Sequence, residues 1–256
     1  MPDRPTMPKL LAATTAVLLG LLLIPAKGRP ANASQPSPVL VELFTSEGCS
    51  SCPPADRLIT ELDRKQPIPE ANIIVLSEHV DYWNYLGWRD PYSSNRWSER
   101  QSDYGRHFGL DSVYTPQMVI DGTSQVNGSD ATAVRKAIER SAAQPKLSIS
   151  ISHSSTTNDT LSLTVSVNAS PSATLYAVIA DEADRSSVER GENEGRTLDH
   201  VAVVRSLTEV ARLQTPLTDK TFTVHLPSAS LNRHLRLILF AQERTGLVVG
   251  AVEQGL

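Results

Sequence analysis

The 256-residue chain has two cysteines, and they stand two residues apart in Cys49-Ser50-Ser51-Cys52. A pair at this spacing suits thiol-disulfide exchange: a thiolate on the first cysteine attacks, and the second resolves the mixed disulfide. The residues just before it, 39–44, form a nearly continuous apolar run, as expected of a strand buried on both faces. A helix is expected just after it. Functional groups of open α/β sheets gather at the carboxyl ends of strands, and a helix N-terminus favours a nearby thiolate. A purely structural disulfide is the bland alternative, but a ring this short constrains the unfolded chain by only about 2 kcal/mol. With no other cysteine present, the two pair with each other or with a partner. A third chemistry is metal carriage, since Cys49, Cys52 and His79 together would suit Cu(I) or zinc.

A second signal is Tyr114-Thr115-Pro116-Gln117, where a proline opens an expected strand. Proline there serves a turn, a cis bond or an edge position. His79 follows a second apolar run and is read either as a group that tunes the thiols or as a hydrogen-bonded framework residue. All three tryptophans (Trp83, Trp88, Trp97) and Tyr82, Tyr85, Tyr92, Tyr104 and Tyr114 fall within residues 81–116. They could wall a substrate site or fill a satellite core.

The elements that must hold these groups alternate up to about residue 143. Strands are expected at 39–44, 73–76, 117–120 and 123–126, with the turn Asp121-Gly122 between the last two. Helices are expected at 56–66, at 95–108 with Gly109 as its stop, and from Ser129 or Asp130 to before Pro145. The order is β-α-β-α-β-β-α. Beyond Pro145 the apolar period becomes two, as in Leu161, Leu163, Val165 and Val167, and about seven short strands suggest an antiparallel sandwich. Residues 181–200 interrupt them and read as too polar for a core.

With these elements the chain resembles the thioredoxin superfamily. By that resemblance Cys49 is the nucleophile, Cys52 the resolving thiol, Pro116 a cis-proline and Thr115 the residue that docks substrate through its backbone. A narrower resemblance rests on residues 41–56, His79-Val80-Asp81-Tyr82-Trp83, Val113-Tyr114-Thr115-Pro116-Gln117, Gly191-Glu192-Asn193, Gly195-Arg196 and Val203-Val204-Arg205. They are similar to an exported thioredoxin-like family known only as a domain of unknown function. The fold implied is an α/β thioredoxin-like domain at 37–144 followed by an all-β sandwich-like domain at 145–256. Three departures from ordinary thioredoxins stand out. Gly48 replaces the usual tryptophan, and Glu47 would raise the thiol pKa by repulsion. Pro53 and Pro54 require the helix to start near Cys52.

Residues 1–33 read as a signal peptide. Arg4 and Lys9 precede the apolar run at 10–24, and Ala31-Asn32-Ala33 offers small residues for cleavage. The expected product is an exported, acidic protein, periplasmic or secreted and free of the membrane once cleaved. Lys plus Arg (24) do not exceed Asp plus Glu (28), so a nucleic-acid partner is not expected. No nucleotide-binding glycine loop, hydrolase elbow or zincin motif is present. The expected function is a thiol-disulfide oxidoreductase with no cofactor, acting on a protein or small-molecule thiol or disulfide. The alternatives are the metal carrier and a binding module with a static disulfide.

Overall fold

The apolar run after residue 37 forms β1 (Ser37–Thr45), whose residues from Val39 onward are all buried. It pairs in parallel with β2 (Ala71–His79), in a register that sets Thr45 against His79. On its other side it pairs antiparallel with β3 (Gln117–Ile120), Phe44 opposite Gln117. The ends of β1 and β2 and the start of β3 therefore share one edge: Cys49 lies just past β1, His79 ends β2 and Pro116 immediately precedes β3. The computed structural model describes residues 1–3, 35–169, 172–228 and 233–256. The apolar run at 10–24 and the small residues at 31–33, on which the signal-peptide expectation rests, lie outside the described residues. Among the described residues no helix is long and apolar enough to cross a membrane.

Helix α1 (Pro53–Lys65) takes Cys52 as its N-cap residue, with prolines filling the first helical positions, where a missing N–H is tolerated. Helix α2 (Asn95–Phe108) begins at a Ser94 side-chain cap and ends at Gly109, whose φ of 65° suits glycine. Strand β4 (Ser124–Asn127) returns from β3 through Asp121 and Gly122, both at positive φ, as the Asp-Gly pair requires. Helix α3 (Ala131–Ala142) is capped by Asp130.

Beyond this point the expected architecture is overturned. The chain is not an α/β thioredoxin-like domain followed by a separate all-β sandwich-like domain. Strand makes up 46% of the described residues and helix 20%. Strands β7 (Ala173–Ser187), β8 (Thr197–Leu213), β10 (Leu235–Glu243) and β11 (Val248–Gly255) join β1–β4 in one mixed eight-stranded sheet, ordered β11-β10-β7-β8-β2-β1-β3-β4. The physical reason lies at β2, whose free edge is closed by β8, with Ser77 paired in parallel to Val203. Strands β5 (Ile149–Thr157), β6 (Thr160–Val167) and β9 (Leu217–His225) make a second, three-stranded sheet. Residues 35–256 form one compact unit.

Two-faced burial holds the sheets together. Leu175, Ala177 and Ile179 of β7 and Leu237 and Leu239 of β10 pack against Leu161, Leu163 and Val165 of the smaller sheet. The alternate residues Val178, Ala180, Ile238 and Phe240 belong instead to the core of β1, β2, α1 and α3. The period of two is correct for these strands, but both of its faces are covered. The stretch 181–200 departs from expectation as well. Most of it is strand, and Asp181, Asp184, Asn193 and His200 are buried. Its charges enter the interior in pairs: Arg205 lies 2.5 Å from Asp181 and 3.2 Å from Asp184, and Arg233 bonds both carboxylates.

Candidate functional site

Cys49 and Cys52 form a disulfide, with Cα atoms 5.5 Å apart, in the turn that joins β1 to α1. The turn closes on itself through Cys49 N–H to the Ser46 carbonyl (3.1 Å) and Cys52 N–H to the Cys49 carbonyl (3.2 Å). Gly48 has a steric reason: a Cβ there would lie 3.0 Å from Cβ of Trp83. Trp83 occupies the space beside the turn, and its indole N–H donates to Thr115 Oγ1 at 2.8 Å.

The Thr115–Pro116 peptide bond is cis. Ser51 links it to the cysteines, with its hydroxyl 3.3 Å from Cys49 Sγ and donating to the Thr115 carbonyl at 3.4 Å. The Pro116 carbonyl accepts from Gly128 N–H (3.0 Å), where a side chain would press on Pro116, Ala55 and Leu43. The four residues Cys49, Cys52, Thr115 and Pro116 thus sit together.

His79 takes a different place. It is fully buried, and its Nδ1 lies 2.7 Å from Asp90 Oδ2. Its ring centroid is 4.6 Å from that of His200. Burial alone would push the His79 pKa down. Asp90, then Asp56 and Glu47, outweigh it, and the pKa stands above the usual 6.5. The residues are not arranged as the Cys49, Cys52 and His79 metal set would need: among the described residues, no group of three or more His, Cys, Asp or Glu is placed to hold a metal ion.

Glu47 is wholly buried and anchored from three sides. Trp88 Nε1 donates to it at 2.7 Å, Ser186 Oγ bonds it, and His200 Nε2 lies at 3.2 Å. Asp56, one helical turn beyond Cys52, accepts from Thr45 Oγ1 at 2.8 Å. Burial raises its pKa, against the pull of His200 and His79. Asp56 and His200 both line a cavity of about 300 Å³ together with Arg57, Arg64 and Arg185.

Sequence reasoning left open the role of the charged stretch between β7 and β8. Its tip closes over the disulfide. Asn193 Nδ2 donates to the carbonyls of Glu47 (2.8 Å) and Cys49 (2.9 Å), and its oxygen accepts from Arg196 (3.0 Å). Ser50 N–H donates to Glu192 Oε2 at 3.0 Å. Gly191 packs beside Trp88, which leaves no more than 3.2 Å for a Cβ. Cys49 is 1% exposed and Cys52 is wholly buried, while Ser50 and Ser51 face solvent. Asp90 and His200 carried no sequence signal. Glu192 and Asn193 did, through a motif whose role only this contact supplies. The aromatic segment divides: Trp97 joins the main core, Tyr104 packs with Phe44, Tyr82 and Trp83, and Tyr85 is exposed.

A strand-to-helix turn carrying a disulfide, tied to a cis-proline and closed by an arm of the same sheet, defines this protein. The chain belongs to a family of unknown function, DUF1223, whose model matches residues 40–242. It is similar to a crystal structure, from a structural genomics consortium, of a protein of Agrobacterium tumefaciens. The two are 27% identical with a TM-score of 0.60, over 85% of this chain and 93% of the other. A second structure, wild-type OgpA from Akkermansia muciniphila, is 9% identical at a TM-score of 0.27, over 87% of this chain and 64% of that one, too distant to support an argument. No curated protein matches the chain.

Proposed function

We propose that the protein is a thiol-disulfide oxidoreductase in which Cys49 exchanges and Cys52 resolves. The observation that carries this reading is the junction itself. A disulfide of two cysteines with two residues between them lies at the start of α1, and Ser51 connects Cys49 Sγ (3.3 Å) to the Thr115 carbonyl before Pro116 (3.4 Å). A bond spanning three positions adds little stability. A backbone carbonyl beside it is suited to pairing with an extended substrate. The substrate is a protein or small-molecule thiol or disulfide, and no cofactor is required. The work is done after export, where a disulfide persists; the apolar N-terminal run in the sequence supports that site of action.

The test is trapping. Cys52→Ser should accumulate mixed disulfides through Cys49 that Cys49→Ser does not form, and mass-tagging of the wild type should gain two tags after mild dithiothreitol. A native chain whose bond never exchanges, and whose Cys52→Ser variant captures nothing, would leave a static disulfide instead.

A further inference from the structure

We propose, building on that oxidoreductase reading, that the Cys49–Cys52 pair runs as an electron donor: it reduces substrate disulfides and is itself most stable oxidised. The direction of such a couple depends on how well the folded chain stabilises a thiolate, because strong oxidants are those whose reduced form is stabilised. Thiolates are stabilised by N–H donors, by a helix N-terminus, by neighbouring cations and by water. Most of the backbone donors around the turn, the first N–H groups of the helix and water are withheld here.

The helix is the first case. Its N1 and N2 positions are Pro53 and Pro54, which have no N–H. The next two N–H groups, of Ala55 and Asp56, both donate to the Cys52 carbonyl, at 2.8 and 3.1 Å. None of the first four helical positions offers a donor to sulfur. In the turn, the N–H of Gly48 goes to Ser46 Oγ, that of Cys49 to the Ser46 carbonyl and that of Cys52 to the Cys49 carbonyl. The N–H of Ser50 goes to the Glu192 carboxylate, which takes a donor and adds a negative charge beside the turn. Asn193 commits both amide hydrogens to carbonyls. The Ser51 hydroxyl has one hydrogen, which lies within reach of both Cys49 Sγ (3.3 Å) and the Thr115 carbonyl (3.4 Å), so it is at most shared with the sulfur. Both sulfurs belong to buried residues, and desolvation penalises the thiolate further.

The reaction balances as follows. A Cys49 thiolate attacks one sulfur of a substrate disulfide, and the other sulfur leaves and takes up the proton that Cys49 lost. Cys52 then attacks Cys49 Sγ, which closes the Cys49–Cys52 bond and releases the second substrate thiol with the proton from Cys52. The substrate gains two electrons and two protons, and the cysteine pair loses them. A dithiol reductant must restore the pair, with its own oxidation to a disulfide.

The experiment equilibrates the full chain in mixtures of reduced and oxidised glutathione, and separately of reduced and oxidised dithiothreitol, followed by acid quench and mass-tagging. The wild type should stay oxidised in equal glutathione and glutathione disulfide and become reduced only in dithiothreitol. Pro54→Ala restores an N–H at an exposed position and should move the equilibrium toward the dithiol by up to about tenfold at an alkaline pH where the thiolate is populated, the scale of one hydrogen bond to a charged group. Glu192→Gln should move it the same way by about two- to fivefold, as fits a solvent-exposed charge. A wild-type pair that is reduced in the equal glutathione mixture, or variants that both sit at the wild-type equilibrium, would overturn the donor assignment while leaving exchange intact. A reduced chain that exchanges with neither glutathione disulfide nor insulin would remove the oxidoreductase reading as well.

Discussion

Asn193→Ala isolates the contact that closes the β7–β8 arm over the disulfide. Asn193 is wholly buried, and its amide supplies hydrogen bonds of 2.8 and 2.9 Å to the carbonyls of Glu47 and Cys49. Truncation removes both donors. The Cys49 carbonyl keeps one partner, the Cys52 N–H, so its loss is partial. Nothing equivalent remains for the carbonyl of Glu47 on the Asn193 side. An unsatisfied buried acceptor costs about 1–3 kcal/mol, which puts the combined cost at about 2–3 kcal/mol in the closed arm. At one decade per 1.4 kcal/mol, the open-arm population rises by about 30- to 140-fold. When opening is fast relative to attack, reactivity follows that population. The rate at which dithiothreitol reduces the native disulfide, read by quench and mass-tagging, should rise by the same factor in dilute buffer. Urea unfolding on the same samples gives the global cost. An unchanged reduction rate would refute the arm as the cover of Cys49, and a rate that rises only as far as global unfolding allows would assign Asn193 to general stability alone.

Three further outcomes follow from the packing and charge of the interior. The raised pKa of His79 contributes stability that is fully present below its ordinary 6.5 and is lost as pH rises through the folded value. Burial alone pushes Asp90 up, but His79 and the N–H groups of Glu47 and Tyr92 hold it below the usual 3.8, so its contribution is lost only as pH falls through that lower value. Asp90→Asn should therefore lose more unfolding free energy below His79's ordinary 6.5 than at a pH above its raised folded value, where the ring is neutral; equal losses in urea titrations across that range would contradict the pairing. Gly122→Ala should cost about 3 kcal/mol or more, because φ is 67° and a Cβ would stand 1.8 Å from the Gly246 carbonyl oxygen; a thermal midpoint within a degree of wild type would show that the two turns do not meet. Arg236 ties β10 to α1 through two bonds to Asp63, at 2.5 and 2.9 Å. Arg236→Ala should cost about 2 kcal/mol by leaving that buried carboxylate unpaired, and Asp63→Asn in the same background should recover part of it, measured by the denaturant midpoint.

Local physics was legible before any coordinates. The nearly continuous apolar run at 39–44 read as a strand with both faces covered, which β1 is. Asp121-Gly122 could turn only with both residues at positive φ, and Pro53 and Pro54 forced α1 to begin beside Cys52. These are properties of residues within a few positions of one another, and propensity and spacing carry them. So is the pairing chemistry of Cys49 and Cys52, whose bond the fold contains. Tertiary structure alone decided where the strands beyond residue 145 go. A period of two shows that a strand has two faces, and gives no information on what covers each. Both faces of β7 and β10 proved apolar enough to be buried, and β8 closed the edge of β2 instead of forming a separate sandwich. The polarity of 181–200 misled for a related reason: Asp181, Asp184 and His200 are tolerable inside only because Arg205, Arg233 and Glu47 meet them there. Partners that lie 21 to 153 residues away leave no periodic trace in the chain. For the same reason Asn193 and Glu192, more than a hundred residues from the thiols, emerged as their cover only when the long β7–β8 arm folded back over the turn.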